Sequence, residues 1–149
     1  MEKIMEVVLY VSRRLEKTRV KVGRTRIMKI LYLADLIAKS KLGRTITKTE
    51  YRYYFYGPYS REVIDAIIKL KNEGYLTDNT ELTKFGLAHD YRPTEKAYKA
   101  QFEHLTKEEA EILDSVIRKF GRNELLRLLD VVYATEPMRK AFPGEVLRL

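Results

Sequence analysis

The tetrapeptide Gly57-Pro58-Tyr59-Ser60 limits most strictly how this chain can fold. Proline fixes its own φ and keeps the residue before it out of the helical region, so no helix runs through this point. Ser60 is a favoured N-cap, and Glu62 lies in the first turn, where the helix dipole favours a carboxylate. Tyr59 and Ile64 have the spacing of a hydrophobic staple. We therefore predict a turn here and a helix that begins after Ser60.

Apolar residues at helical spacing predict further helices along the chain. Local signals mark their ends: Gly43 and Gly74 can take the left-handed conformation that stops a helix, and Thr106 with Glu109 has the capping-box pattern. The predicted helices run from Met1 to about Lys17, from a Thr25 cap to Gly43, from Ser60 to Glu73, from Thr94 onward, from Thr106 to Gly121, and from Asn123 to about Tyr133, with Pro137 ending any continuation.

Threonine and tyrosine dominate the segment between the second and third helices, which favours a strand over residues 50–55. Thr47 and Glu50 also fit a capping box, so one helical turn is the alternative there. Two more short strands are predicted near residues 75–77 and 91–93, joined by a long loop through the turn-like Lys84-Phe85-Gly86. A helix followed by such a ribbon resembles the recognition helix and wing of winged-helix domains.

These elements predict an α+β fold that is predominantly α-helical, with about six helices and a small antiparallel, winged-helix-like β-ribbon. A chain of 149 residues with 45% hydrophobic residues fits a single domain over residues 1–149. Its parts are the N-terminal helix and basic loop (1–24), the winged-helix-like part (25–104) and the C-terminal helices (105–149).

The composition does not match that of secreted or membrane proteins. The absence of cysteine excludes a disulfide-stapled module. The longest apolar stretch, residues 27–38, is interrupted by Lys29 and Asp35, and it is shorter than the roughly 20 residues that span a bilayer. The N-terminus lacks a signal-peptide pattern. We expect a cytoplasmic protein with no membrane contact.

Positive charge is concentrated in the first 60 residues. They hold 14 Lys and Arg against 5 Asp and Glu, a net charge of +9, whereas residues 61–149 hold 15 against 16, a net charge of −1. One interpretation is a solvated surface of the kind that thermophile proteins favour, and the other is contact with nucleic acid. The residues that would make this contact are Arg13, Arg14, Lys17, Arg19, Lys21, Arg24 and Arg26.

The segment that would read DNA in a winged-helix regulator carries no such surplus. Residues 61–73 have 3 basic against 3 acidic side chains, and residues 74–93 have 2 against 3. Phosphate contacts supply most of the affinity for a duplex, so this helix and ribbon are poorly suited to operator recognition. A winged-helix DNA-binding transcriptional regulator is the alternative function, and the basic N-terminal third is the better candidate for its DNA contact.

Residues 51–59 contain an aromatic cluster next to basic side chains. Such residues can pack on flanking helices, form a protein-binding surface, or stack on single-stranded bases. Base contact is the least favoured, because no strand set typical of base-stacking domains accompanies the cluster. The cluster consists of Tyr51, Tyr53, Tyr54, Phe55, Tyr56 and Tyr59. The candidate partner-contact residues are Tyr54, Tyr56, Gly57, Pro58, Tyr59, Ser60 and Arg61.

The sequence offers little for a catalytic centre. It has no thiol nucleophile, no nucleophile elbow and no phosphate-binding glycine loop. His89 and His104 have no second ligand at helical or hairpin spacing, so both are expected at the surface. The clustered Glu108, Glu109 and Glu111 lie at the start of a helix, where the dipole accounts for them. We predict a non-enzymatic protein with no metal and no cofactor.

Three motifs are similar to those of a known family. They are Lys29-Ile30-Leu31-Tyr32-Leu33-Ala34-Asp35, Gly43-Arg44-Thr45-Ile46-Thr47 and Tyr54-Phe55-Tyr56-Gly57-Pro58-Tyr59-Ser60, with closing helices from Leu105 to Pro137. Over roughly residues 25–142 the chain resembles the Panacea domain of antitoxin-like proteins. The resemblance implies a mainly helical domain with a small β component and the non-enzymatic task of binding a protein partner, such as a small toxin encoded nearby. It leaves the oligomeric state open, a homodimer included.

Overall fold

A computed structural model describes residues 1–84 and 86–149; Phe85, within the predicted turn at Lys84-Phe85-Gly86, lies outside the described residues. The helices are α1 (Lys3–Glu16), α2 (Arg24–Leu42), α3 (Arg61–Asn72), α4 (Glu95–Lys99), α5 (Lys107–Phe120), α6 (Leu125–Tyr133) and α7 (Glu136–Lys140). The strands are β1 (Arg52–Tyr54), β2 (Gly57–Tyr59), β3 (Leu76–Asp78), β4 (Glu81–Thr83), β5 (Gly86–Ala88) and β6 (Tyr91–Pro93). The predicted helix-dominated α+β fold with small antiparallel sheets is confirmed.

Helix α2 lies at the centre of the packing. Its residues 26–35 are all buried, and it packs against α1, α5, α6 and β2. Helix α1 packs against α3, α5 and β6, and both helices contribute to the same buried apolar cluster. No helix in the described ranges is both long enough and apolar enough to cross a bilayer.

Local sequence signals set the ends of three helices as predicted. The Ser60 hydroxyl accepts a hydrogen bond from a backbone amide in the first turn of α3 at 3.2 Å, and Thr106 and Glu109 form a complete capping box at α5. Gly43 and Gly74 follow α2 and α3 with φ of 76° and 83°, the left-handed conformation that stops a helix.

Helix α2 and its N-cap begin two residues before the predicted positions. Gly23, in an extended conformation, is its N-cap, and the Gly23 carbonyl accepts a hydrogen bond from the Ile27 amide at 3.2 Å. Arg24 is therefore the first helical residue. Thr25 lies inside the first turn and does not cap the helix, contrary to the prediction.

Two differences concern the C-terminal helices. Helix α6 begins at Leu125 rather than Asn123, since the Glu124 carbonyl accepts the first helical hydrogen bond, from the Leu128 amide at 3.0 Å. Pro137 does not end the helical structure, because it lies in the first turn of α7, where a missing N–H breaks no helical bond. The described residues therefore form seven helices, against about six predicted.

The strand predicted over residues 50–55 is shorter and belongs to a hairpin. Strands β1 and β2 pair antiparallel and are joined by residues 55 and 56. Gly57 has φ of 91°, which is outside the right-handed helical region that the proline after it excludes, and it begins β2 instead of a turn. The alternative helical turn at Thr47 is absent, because Thr47 donates both its amide and its hydroxyl to Asp35.

Residues 144–147 cover the other edge of β1. The Tyr53 amide donates to the Glu145 carbonyl at 2.9 Å, and the Gly144 amide donates to the Tyr53 carbonyl at 2.7 Å. An isolated antiparallel bridge pairs Arg52 with Val146. The hairpin is therefore held on one side by a segment that lies far away in the sequence.

The ribbon between α3 and α4 contains two pairs of strands, β3 with β6 and β4 with β5, both antiparallel. The predicted long loop is therefore wrong over residues 81–83 and 86–88, where the positive φ of Gly86, 109°, lets the chain reverse direction. The base of the ribbon is tied to the basic loop: the Val22 amide donates to the Asp90 carboxylate and the Tyr91 amide to the Val22 carbonyl, each at 2.9 Å.

Candidate functional site

The β1–β2 hairpin, the first turns of α2 and the start of α3 enclose a cleft of about 690 Å³. Met28 of α2 and Ile64 of α3 give it apolar walls, and the rings of Tyr54 and Tyr59 line the side formed by the hairpin. A cleft of this size can enclose a small molecule or side chains of a bound protein.

Three aromatic side chains at the end of the hairpin are exposed, and we call them the aromatic tip. They are Tyr54, Phe55 and Tyr56, with exposed fractions of 45%, 92% and 69%. The ring of Tyr54 meets that of Tyr59 edge-on, with centroids 5.2 Å apart. Contiguous exposed apolar surface of this kind is typical of interaction sites.

Other tyrosines of the predicted cluster pack inside the protein. Tyr51 is buried against Tyr32, with ring centroids 5.5 Å apart, and its hydroxyl donates to Asp35 at 2.6 Å. Tyr53 is half-buried, and its ring lies 6.1 Å from that of Tyr133. The packing interpretation therefore applies to Tyr51 and Tyr53, whereas the aromatic tip is available for contact.

The hairpin is fixed by side chains from α2 and α6. Lys29 Nζ donates to the Pro58 carbonyl at 2.9 Å, and the Tyr133 hydroxyl donates to the Phe55 carbonyl at 2.9 Å. Gly57 approaches Lys29 so closely that a Cβ atom at this position would lie 3.2 Å from Lys29 Cε. The position of the aromatic tip therefore depends on residues outside the hairpin.

The seven residues predicted to contact a partner divide by exposure. The buried members, which support the hairpin and α3, are Gly57, Pro58 and Ser60; the accessible members, which line the cleft, are Tyr54, Tyr56, Tyr59 and Arg61. Phe55 is the most exposed aromatic residue of the tip and is missing from the predicted set. The pairing of β1 with β2 puts it in the hairpin turn, and this pairing was not predicted.

Lys29 lies beneath the hairpin, lines the cleft and is only 3% exposed. Burial lowers the pKa of its ammonium group to about 7. The sequence signal for this residue is its interruption of the apolar stretch 27–38, which alone does not distinguish a functional lysine from one that reaches solvent.

Asp35, on the same helix, is completely buried and accepts four hydrogen bonds. Its Oδ1 accepts from the amides of Ile46 and Thr47 at 2.7 and 3.1 Å, and its Oδ2 accepts from the hydroxyls of Thr47 and Tyr51 at 2.5 and 2.6 Å. Burial raises the pKa of Asp35, and the four hydrogen bonds oppose this shift. The carboxylate thereby fixes the segment that leads from α2 to the hairpin.

The rim of the cleft carries more positive than negative groups. Arg24, Arg52 and Arg61 provide cations, while Glu50 and Glu62 provide carboxylates. The Glu50 carboxylate lies 3.4 Å from the Arg52 guanidinium, so these two charges largely balance each other. The remaining rim charge favours an anionic ligand.

Two of the basic residues predicted to contact nucleic acid support the fold. Arg26 is buried, which lowers its pKa, and its Nη1 donates to the carbonyls of Gly121 and Asn123 at 3.2 and 2.7 Å. Arg24 Nε donates to the Tyr91 hydroxyl at 2.7 Å. Arg26 in particular is only 8% exposed, which is too little surface to reach a duplex.

Two more of the basic residues predicted to contact nucleic acid lie on α1 and contact aromatic rings. The guanidinium of Arg13 lies 5.0 Å from the ring centroid of Phe102, and that of Arg14 lies 5.1 Å from the ring of Tyr10. Arg14 also pairs with Asp114 at 3.2 Å. The other predicted contact residues, Lys17, Arg19 and Lys21, are exposed in and beside the loop after α1.

The two histidines have different environments. His104 is exposed, as predicted, whereas His89 is half-buried: its Nδ1 lies 2.9 Å from the Asp78 carboxylate and its ring stacks on Tyr91. Within the described ranges, no three His, Asp or Glu side chains lie close enough together to hold a metal ion.

Comparison with known proteins gives these features a family context. None of the curated proteins matched the chain. A family model described as the antitoxin SocA-like Panacea domain matches residues 27–137, a range that includes most of α2, the hairpin, the ribbon, and all of α5 and α6. The match agrees with the motifs at residues 29–35 and 54–60. The chain therefore belongs to the SocA-like antitoxin family that carries the Panacea domain.

Proposed function

We propose that this protein is a non-enzymatic antitoxin that binds a small protein toxin in the cytoplasm through the aromatic tip and the adjoining cleft. The observation that carries the proposal is the exposure of Tyr54, Phe55 and Tyr56 together at the end of one short hairpin. Large aromatic side chains provide most of the energy in many protein interfaces, because they bury much apolar area at a small entropic cost.

The hairpin backbone that carries the tip is also held by other parts of the chain. Residues 144–147 pair with β1, and Lys29 and Tyr133 donate hydrogen bonds to backbone carbonyls of the hairpin. A fixed surface loses little conformational entropy on association, which leaves more of the contact energy for affinity. Membership of an antitoxin-type family supports a protein as the partner.

The product of a neighbouring reading frame is the natural test partner. We expect its expression alone to arrest growth and co-expression of this protein to restore growth. Phe55→Ala is expected to weaken binding at least about tenfold, because truncating a hot-spot anchor costs about 2 kcal/mol or more. Binding is measured by calorimetry with the purified pair.

Phe142→Ala is the matched control, since Phe142 is another exposed aromatic residue, at 75% exposure, outside the cleft. It is expected to leave affinity and growth rescue unchanged. Equal affinities for Phe55→Ala and the wild-type protein would exclude the aromatic tip as the contact.

Nucleic-acid binding is the second candidate function, favoured by the exposure of Lys17, Arg19 and Lys21 around one loop. For mixed-sequence duplex DNA, the logarithm of the binding constant should fall with the logarithm of salt concentration by about 0.9 per phosphate contact. The double variant Lys17→Glu and Arg19→Glu should flatten this slope by about two contacts. No detectable binding at low salt would eliminate this function.

A further inference from the structure

We propose that the cleft beneath the aromatic tip binds a carboxylate of the partner, on an acidic side chain next to an apolar one, with the Lys29 ammonium as its counter-ion. This assignment rests on the proposed function, because the carboxylate belongs to the protein that the aromatic tip contacts. It specifies the chemistry that the partner has to present.

Lys29 has hydrogen-bonding capacity that the fold does not use. A protonated lysine has three N–H donors. The side chain is 3% exposed, and among the described residues the Pro58 carbonyl, 2.9 Å from Nζ, is its one hydrogen-bond acceptor. Burying a cation in this way costs free energy unless an anion pairs with it.

The amine borders the cleft, where an anion could approach it. Four cationic side chains line this cavity against two carboxylates. Glu50 pairs with Arg52, and Arg61 lies 3.9 Å from Asp65, which is outside the lining. Arg24 and Lys29 are then the cations, and Glu62 the carboxylate, that form no salt bridge among the described residues. The charged lining residues are Arg24, Lys29, Arg52 and Arg61, against Glu50 and Glu62. The other titratable lining residues are Tyr54, Tyr56 and Tyr59. The charge complement of this site is therefore an anion.

The walls of the cleft indicate what accompanies the anion. Met28 and Ile64 contribute apolar side chains, and Tyr54 and Tyr59 contribute aromatic rings. The cavity volume of about 690 Å³ exceeds what one carboxylate needs. An acidic side chain with an apolar neighbour would therefore match both the buried amine and the surface around it.

Binding of such a group is coupled to the protonation of Lys29. Because burial lowers the Lys29 pKa to about 7, the amine is mostly neutral above that pH in the unbound protein. A carboxylate in contact with it favours the ammonium form and raises the pKa. Binding thus takes up a proton above pH 7, and the affinity should fall by up to about tenfold per pH unit there.

Phenylacetate tests the site directly, since it joins a carboxylate to an apolar ring, and phenylacetamide is the neutral control. We would follow the ¹³Cε resonance of Lys29 in lysine-labelled protein as a function of pH, with Lys29→Met to assign it. Phenylacetate is expected to raise the titration midpoint by at least about one pH unit, and phenylacetamide to leave it unchanged. An unchanged midpoint with phenylacetate, or equal changes with both compounds, would overturn the proposal.

Blocked dipeptides separate two sources of the carboxylate. N-acetyl-Phe-Glu-amide carries it on a side chain, N-acetyl-Phe-Phe carries it at the C-terminus, and N-acetyl-Phe-Gln-amide has none. We expect the glutamate peptide to bind at least about tenfold more tightly than either of the others. Tighter binding of the peptide with a free C-terminus would overturn the assignment to an acidic side chain.

The probe titration and the growth rescue can fail independently. Rescue that depends on Phe55, together with a Lys29 midpoint that phenylacetate does not move, would overturn the carboxylate site and leave the antitoxin function standing. A raised midpoint without growth rescue would keep the carboxylate site and remove the toxin as its source.

Discussion

Lys29 and Asp35 are buried charged residues on the same helix, α2, but they differ in how many of their possible hydrogen bonds they make. The Asp35 carboxylate accepts four hydrogen bonds from the segment that leads to the hairpin. Lys29 Nζ donates to one carbonyl, that of Pro58, among the described residues. Most buried polar groups have at least one hydrogen-bond partner. Lys29 meets this rule through Pro58, and two of its three N–H donors have no acceptor among the described residues. The fold therefore uses the Asp35 carboxylate fully, whereas the Lys29 ammonium keeps N–H donors with which it can bind a ligand.

Removal of the Asp35 carboxylate should have the largest effect on stability. Asp35→Ala leaves four donors without their acceptor inside the core, and we expect the free energy of unfolding to fall by about 3–5 kcal/mol. Urea denaturation measures the change. Asp65→Ala is the control, because Asp65 is exposed and its pair with Arg61 spans 3.9 Å; it should cost less than about 1 kcal/mol. Equal losses in the two variants would remove Asp35 from the structural role.

Lys29 should give the protein a distinctive dependence of stability on pH. In the unfolded chain the Lys29 ammonium loses its proton at the ordinary lysine pKa near 10.5, whereas in the folded protein burial lowers this pKa to about 7. Between these values the unfolded state binds more protons, so the free energy of unfolding rises with pH, by up to about 1.4 kcal/mol per unit. Below pH 7 both states are protonated and this contribution is constant.

Lys29→Met should remove that rise. The difference in stability between the wild-type protein and the variant, measured by denaturation from about pH 7 to pH 10, should therefore change on the order of 3 kcal/mol in favour of the wild-type protein. Parallel pH curves for the two proteins would show that Lys29 stays protonated in the folded state and would remove the contrast with Asp35.

Gly57 tests the contact that holds Lys29 under the hairpin. Gly57→Ala combines an unfavourable φ of 91° with a Cβ 3.2 Å from Lys29 Cε, so we expect a loss of about 2 kcal/mol. Gly74→Ala is the matched control, since Gly74 has φ of 83° and nothing within 4 Å of the added Cβ; it should cost about 1 kcal/mol. Equal losses of thermal stability in the two variants would mean that the Lys29 side chain moves away from the added Cβ at no cost in free energy.

Of the four positions tested, replacement of Ser60 should change the stability least. Ser60→Ala removes the N-cap of α3 and the hydrogen bond of 2.6 Å between the Ser60 and Thr49 hydroxyls, at a cost of about 1 kcal/mol. Ser115→Ala, at an exposed position inside α5, should change stability by less than about 0.5 kcal/mol. A melting temperature unchanged by Ser60→Ala would show that the cap contributes nothing to stability.

The accuracy of the sequence-based predictions depended on how far apart the interacting residues are. The cap at Ser60, the capping box at Thr106 and the helix stop at Gly74 all involve residues within one turn, and each was predicted. Arg26 was predicted on a basic surface but is buried, because its acceptors are the carbonyls of residues 121 and 123. Periodicity along the chain carries no information about partners that are nearly a hundred residues away.

The candidate site shows the same limit. The aromatic cluster and the turn at Gly57 were recognisable from local composition, whereas the exposure of Phe55 follows from the pairing of β1 with β2. The incomplete hydrogen bonding of Lys29 could also not be predicted from the sequence, because it depends on which backbone carbonyl the hairpin places above α2. Such a property belongs to the packed structure rather than to any segment of the sequence.

The pairing of residues 144–147 with β1 also has a consequence for biosynthesis. The ribosome makes the hairpin about ninety residues before the segment that covers its edge, so the nascent chain presents β1 with an unsatisfied row of backbone groups. Exposed strand edges of this kind readily pair with other chains. The hairpin that carries the aromatic tip therefore acquires its covered edge only after residues 144–147 have been synthesised.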